Sequence, residues 1–320
     1  MPDMNAPIKL GADIWNQYTG WPAFKAAHLR AEELGYESLW TMDHIYPPNK
    51  PSDGPILEAF SLMSAVAEVT SKATISVMVA SNTYRNPAML TKIITTIDHI
   101  SDGRAILGVG AGWAEHEHEG FGFEFGSGPG ERLRWLKEAL PVMRGMLDGT
   151  QPSSSGPHYR IKNAYNVPPP VQRRMPLLIG GSGPKVTLRL VAEYADMCNI
   201  GGSPSTVAQK DAVLIGHCED VGRDEQTIER TIDVGVPTIR DSRERAFKDR
   251  DALFAAQESE PWKNQPTGTP EDVFEWLARY VEIGYRHLVF YWPAPYDEET
   301  LVRMATEVRP KLEAMVGTDA

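Results

Sequence analysis

Asp43-His44 is the first candidate for chemistry in this 320-residue chain. The pair ends a short apolar run (YESLWT, residues 36–41) and opens a Pro-rich stretch, residues 45–55. Imidazole titrates near neutral pH, so a histidine at such a strand end can give or take a proton or hydrogen-bond a cofactor. The plainer alternative is an Asp that caps the loop beside a surface His. The strand-end position favours the functional reading. A second candidate is Gly180-Gly181-Ser182-Gly183, between an apolar run and a helical stretch. Backbone N–H groups at a helix start bind anions, and glycine lets the anion come close. The alternative here is a plain strand-to-helix turn. No Lys-Ser/Thr follows, which excludes a Walker-type loop. The third is RAILGVGAGWAEHEHEGFG, residues 104–122, where a buried run breaks at Gly108, Gly110 and Gly112. That spacing lets something approach the backbone closely.

Other residues read more quietly. In Glu115-His116-Glu117-His118-Glu119, helical geometry points His116 and His118 about 200° apart, so they share no face. The HExxH spacing is absent, and a metal site is not expected. The segment reads as a polar helix start with one or two side chains toward a pocket. No nucleophile elbow of the GxSxG type is present. Cys198 sits among apolar neighbours, as an inert core thiol does. Trp15, Trp40, Trp113 and Trp292 all suit a core, and Trp113 and Trp292 suit a pocket better because they follow strand ends.

The elements that must position these residues alternate. Strands are expected at 8–14, 36–41, 73–80, 105–109, 176–179, 196–200, 229–238 and 286–292. Helices are expected at 21–34, 58–70, 86–100, 130–147, 184–195, 205–221, 269–284 and 297–315. Eight β-α units make an α/β fold, a (β/α)8 TIM barrel, the leading architecture. It would be one domain over residues 1–320. Two insertions are expected: 148–176, with strand-like pieces at 158–161 and 164–167, and 241–267, charged and irregular. An open doubly wound sheet is the rival. Its glycine fingerprint belongs after the first strand, where this chain has Ile14-Trp15-Asn16. In a parallel barrel the ligand binds at the carboxyl ends of the strands, and the candidates above lie there.

Composition narrows the partners. The formal net charge of −11 argues against nucleic acid, although a few local donors can still hold an anionic cofactor. Two cysteines leave little room for a disulfide framework and fit a reducing cytoplasm. No apolar run approaches the roughly 20 residues that span a membrane. The opening MPDMNAPIKL has neither the basic nor the apolar part of a signal peptide.

Four stretches carry a family resemblance: AEELGYESLWTMDHIYP, TYRNPAMLTKIITTIDHISDGRAILGVGAGWAEHEHEGFG, ERLRWLKEAL and PLLIGGSGPKVTLRLVAEYADMCNI. The chain resembles the luciferase-like monooxygenase superfamily, and within it the oxidoreductases that use the deazaflavin coenzyme F420. FMN is the alternative cofactor, in an oxygen-using monooxygenase of the same fold. The resemblance implies a hydride transfer between F420 and a small organic substrate, in a homodimer. It places a bulge with a non-proline cis peptide after the third strand, at Val77, Met78 and Val79 beside Ala80, behind the deazaflavin ring. It makes His44 the proton donor or acceptor and has Asp43 orient His44 or touch the ring edge. It gives the phosphate to Gly180, Gly181, Ser182 and Gly183, with Gly112 and His116 also on the cofactor. Trp15, Trp113 and Trp292 then shape the substrate side. Sugar-phosphate dehydrogenases of this kind carry Glu where this chain has Trp113, and Asn where it has His116. A less polar substrate than glucose 6-phosphate is therefore expected. A non-catalytic cofactor-binding barrel is the rival from another class.

Overall fold

Along the first strand, every second side chain points into a closed ring of strands and the others point toward helices. In the computed structural model, which describes residues 6–48 and 53–317, strand β1 is Lys9–Ile14. Its Leu10, Ala12 and Ile14 pack outward into the main hydrophobic core. Its Gly11 faces inward, against Ser38, Trp40 and Val289. The period of two puts one face on the barrel axis and the other on the helices.

Seven further strands complete the ring: β2 (Ser38–Thr41), β3 (Thr74–Val77, resumed at Ala80–Ser81), β4 (Leu107–Gly110), β5 (Leu177–Gly180), β6 (Met197–Gly201), β7 (Glu229–Asp233) and β8 (His287–Trp292). All neighbours are parallel, in the order β3-β2-β1-β8-β7-β6-β5-β4-β3. The ring closes through β3, whose first half pairs with β2 and whose second half pairs with β4. Between the halves lies the Met78-Val79 peptide, which is cis.

Helices cover the outside. They include α1 (Trp21–Glu33), α2 (Ala59–Val69), α3 (Pro87–Ile100), the short α4 (Glu115–Phe121), α5 (Pro129–Leu147), α6 (Thr187–Tyr194), α7 (Pro204–Val221), α8 (Arg243–Ala256) and α9 (Pro270–Glu282). After β8 the chain closes as Glu298–Arg303, a π-helical turn at Met304–Val308, and Arg309–Val316. The start signals read from sequence operate here. Asn86 caps α3 ahead of Pro87, and Thr269 with Asp272 forms a capping box on α9. No helix among the described residues is long and apolar enough to cross a membrane.

Several expected boundaries move. β7 stops at Asp233, five residues short of the expected end, and Thr238–Ile239 instead pairs outside the barrel with Thr267–Gly268. The stretch 241–267 is not wholly irregular, because it contains the 14-residue α8. That helix is so charged that its apolar periodicity is weak, and Ser242 caps it. In the 148–176 excursion only a two-residue hairpin forms, Ser154–Ser155 with Arg160–Ile161, and no strand forms at 164–167. Helix α6 begins at Thr187, three residues later than expected, after a turn at 184–186. Within the expected loop 45–55, residues 49–52 lie outside the described part, as do residues 1–5 of the opening segment.

Candidate active site

A cavity of about 510 Å³ opens at the carboxyl ends of the strands. Its first wall is the β3 bulge. Met78, Val79 and Ala80 line it, and inward-facing glycines on the neighbouring strands make room for it. A Cβ on Gly110 would stand 2.9 Å from Val79 Cγ2, one on Gly180 2.8 Å from the same atom, and one on Gly108 2.5 Å from the Val77 carbonyl oxygen. What these glycines admit is the protein's own bulge. Val77, expected in the bulge behind the cofactor, packs its side chain into the main core and does not line the cavity.

The second wall carries Asp43 and His44 at the end of β2. The two do not touch the same partner. Asp43 Oδ2 accepts from the Ser81 amide at 2.8 Å and from Arg85 Nη1 at 2.7 Å. Its Oδ1 is buried and has no partner among the described residues. Burial raises the Asp43 pKa, and the Arg85 guanidinium opposes that rise. Arg85 is fixed in turn by Glu58 at 2.7 Å and by the Phe60 ring beneath it.

His44 is oriented by Glu117, not by Asp43. Its Nδ1 lies 2.9 Å from Glu117 Oε2. Glu117 also accepts from the Ile45 amide at 2.8 Å, the Tyr46 amide at 3.0 Å and the Tyr84 hydroxyl. Burial alone would push this carboxyl up; the bonds from His44, Tyr84 and Tyr46 outweigh it and hold it at about 2. With an ionised carboxylate on its Nδ1–H, His44 keeps Nε2 for the cavity. The Trp113 ring stands edge-on to His44 at 5.2 Å and is 63% exposed.

Helix α4 explains why Glu117 was missed. Ala114, Glu117 and His118 follow the i, i+3, i+4 spacing and all three are buried. Reading the segment for paired histidines looks past that face. His118 is held by Thr83 and the Ala114 carbonyl, each at 2.6 Å. His116, expected on the cofactor, does not line the cavity and is stacked on Tyr46 at 6.2 Å.

The third wall is the glycine turn. Gly180 and Gly181 line the cavity with Thr187, while Ser182 and Gly183 sit just outside it. The Gly181 amide is spent on the Asn199 carbonyl at 3.0 Å, so fewer N–H groups are free than a bare helix start offers. Gly112 also lines the cavity; its φ of +79° and a Cβ position 2.5 Å from Ser81 Oγ both require glycine.

The floor and far side were only partly foreseen. Trp15 lines them, and Trp292 does not. On β8 the inward residue is Tyr291, and Trp292 packs outward edge-on to Tyr36 at 6.2 Å. Asp13, Asn199, Asp233 and Trp262 complete the far side. Asp13 is an acid inside an apolar strand, which is a legible signal. Asp233 was hidden by the overlong β7, and Trp262 by the irregular reading of its segment. Both cysteines are buried and free, and burial pushes the Cys198 thiol up to about 12.

Comparison with known proteins gives the chain its family. Two relatives named F420-dependent glucose-6-phosphate dehydrogenase are each 28% identical to the chain. That of Amycolatopsis mediterranei (strain U-32) aligns over 90% of this chain and 93% of its own. That of Microbacterium testaceum (strain StLB037) aligns over 97% and 98%. Among solved structures, an F420-dependent secondary alcohol dehydrogenase in complex with an F420-acetone adduct superposes with a TM-score of 0.82 at 20% identity, covering 96% of this chain and 99% of that one. The coenzyme F420-dependent tetrahydromethanopterin reductase from Methanopyrus kandleri gives 0.79 at 17% identity, covering 96% and 100%. The long-chain alkane monooxygenase LadA gives 0.80 at 16% identity, covering 97% and 92%. These structures share the barrel. The family model of luciferase-like monooxygenases matches residues 6–266, and the chain belongs to that family.

Proposed function

We propose that this protein is an oxidoreductase that moves a hydride between coenzyme F420 and a small organic substrate. The observation that carries this reading is the near full-length likeness to F420-dependent dehydrogenases. The cavity fits such a group. A flat ring would rest on the Met78-Val79 bulge, with the orphaned Asp43 Oδ1 free to accept a hydrogen bond from its edge. Gly180, Gly181 and Thr187 would hold the phosphate-bearing arm, and Ser182 and Gly183 would shape the turn behind them.

When bound, the deazaflavin supplies or accepts the hydride at C5. The chain does the rest. The barrel mouth holds two reactants face to face, which makes the step effectively unimolecular. His44 Nε2 gives or takes the accompanying proton at the substrate heteroatom. Glu117 keeps His44 in the tautomer that presents Nε2 and stabilises the imidazolium when it forms. Trp15, Trp262 and Tyr291 form the aromatic side of the cleft. No Lys or Arg among the described residues lines the cavity, which disfavours a sugar phosphate.

The test is His44→Ala, assayed against a panel of alcohols, carbonyls and imines with oxidised and reduced F420. Turnover falls on the order of 10²–10⁴-fold, while F420 affinity changes little. Equal turnover would remove His44 from the proton step. A homodimer is the assembly expected from the resemblance, and light scattering of the purified protein tests it.

A further inference from the structure

The same cavity also reaches two carboxylates that no cation among the described residues answers. Asp13 is fully buried, lines the cavity, and has no hydrogen-bond partner on either oxygen among the described residues. Asp233 lines the same end from β7. Its Oδ1 accepts from Asn199 Nδ2 at 3.0 Å, and the Tyr291 hydroxyl donates to it. Tyr291 is also the register partner of Asp13 on β1, so it stands between the two acids. The guanidinium of Arg85 is already committed to Asp43 and Glu58.

A buried carboxylate without a partner is costly, so the pair must either hold a proton or receive a cation. The direction of titration agrees. Burial, then repulsion from Asp233, pushes Asp13 well above the carboxylate range, and burial pushes Asp233 up to about 6. Aromatic rings stand beside the acids. Trp15, Trp262 and Tyr291 form a triangle with centroids 5.7, 5.8 and 5.7 Å apart. Ring faces attract organic cations, especially where water is excluded. A metal ion gains nothing from such a wall, and no group of three or more potential metal ligands exists among the described residues.

We propose that the Asp13–Asp233 end of the cleft binds a protonated nitrogen, so that the substrate is an organic amine or its iminium counterpart: in oxidation the ammonium would lose one proton to His44 and one hydride from its adjacent carbon to F420, leaving the iminium, and reduction would return both. This rests on the hydride-transfer reading, which gives the bulge side to the cofactor and leaves this end to the substrate. The carboxylates take the N–H groups, and the rings cover the carbon skeleton. The same pair disfavours anionic substrates by charge repulsion.

Benzylammonium, benzyl alcohol and benzoate are matched probes. Their binding to the full-length protein loaded with F420 is followed by quenching of the tryptophan emission, and F420 uptake is followed in the same samples by its own fluorescence. Benzylammonium binds on the order of tenfold or more tighter than benzyl alcohol, and benzoate more weakly still. Asp13→Asn and Asp233→Asn, which keep the shape, erase that preference while F420 uptake persists. Alcohol or benzoate binding as well as the amine, no amine binding, or an unchanged preference in both variants overturns the proposal while F420 uptake stays intact. Loss of F420 uptake in the unmodified protein overturns the hydride-transfer reading instead.

Discussion

Glu117 decides what His44 can do. A histidine at a barrel mouth is free to rotate and to choose its tautomer; a buried carboxylate on Nδ1 removes both freedoms. Four donors converge on Glu117, so it stays charged although it is fully buried. Its carboxyl falls from an ordinary 4.5 to about 2 on folding. The unfolded chain therefore binds the proton first, and the stabilisation is complete above about pH 4.5 and lost as pH falls toward 2. Urea unfolding from pH 5 down to pH 2.5 should show a loss of stability that Glu117→Gln largely flattens. Arg85 is the matching case on the Asp43 side. Arg85→Leu leaves Asp43 buried without its cation and should cost about 3–5 kcal/mol in urea unfolding. A change within 1 kcal/mol would mean that Asp43 is already protonated.

At the scale of elements, the bulge in β3 and the glycines facing it are one device. Gly180→Ala places a Cβ 2.8 Å from Val79 Cγ2 and should cost about 1–3 kcal/mol in urea unfolding and weaken F420 binding. Gly216→Ala in α7 meets nothing within 4 Å and should gain about 0.5–1 kcal/mol with no effect on the cofactor. Much of this scale was legible in the sequence. The β-α rhythm, the caps at Asn86 and Thr269, and the strand-end placement of Asp43, His44, Gly180 and Gly181 follow from local periodicity and turn chemistry. The rest depends on residues far apart in the chain. Glu117 reaches His44 across 73 positions, and Arg85 reaches Asp43 across 42. Trp292 was misplaced by a single residue of strand parity, because the ring of strands alone decides which neighbour points inward.

The whole molecule separates stability from chemistry along the barrel axis. At the amino end, Glu229 gathers Lys9 and His287 at 2.9 and 2.8 Å, and His287 reaches Ser38. Burial pushes the Glu229 carboxyl up, but His287 and Lys9 outweigh it and hold it at about 2. In parallel barrels ligands bind at the opposite, carboxyl end of the strands, so this network is expected to serve stability. Glu229→Gln should lower Tm and leave F420 affinity unchanged; a parallel loss of both would show that the two ends are coupled. No Lys or Arg among the described residues lines the cleft, which presents aromatic rings and a few carboxylates instead. The central claim concerns the cofactor. Paired equilibrium titrations of the purified protein with F420 and with FMN, followed by fluorescence, test it most directly. The account predicts saturable F420 binding that is much tighter than FMN binding and is weakened by Gly180→Ala. Preferential binding of FMN would contradict it and make the protein an oxygen-using monooxygenase.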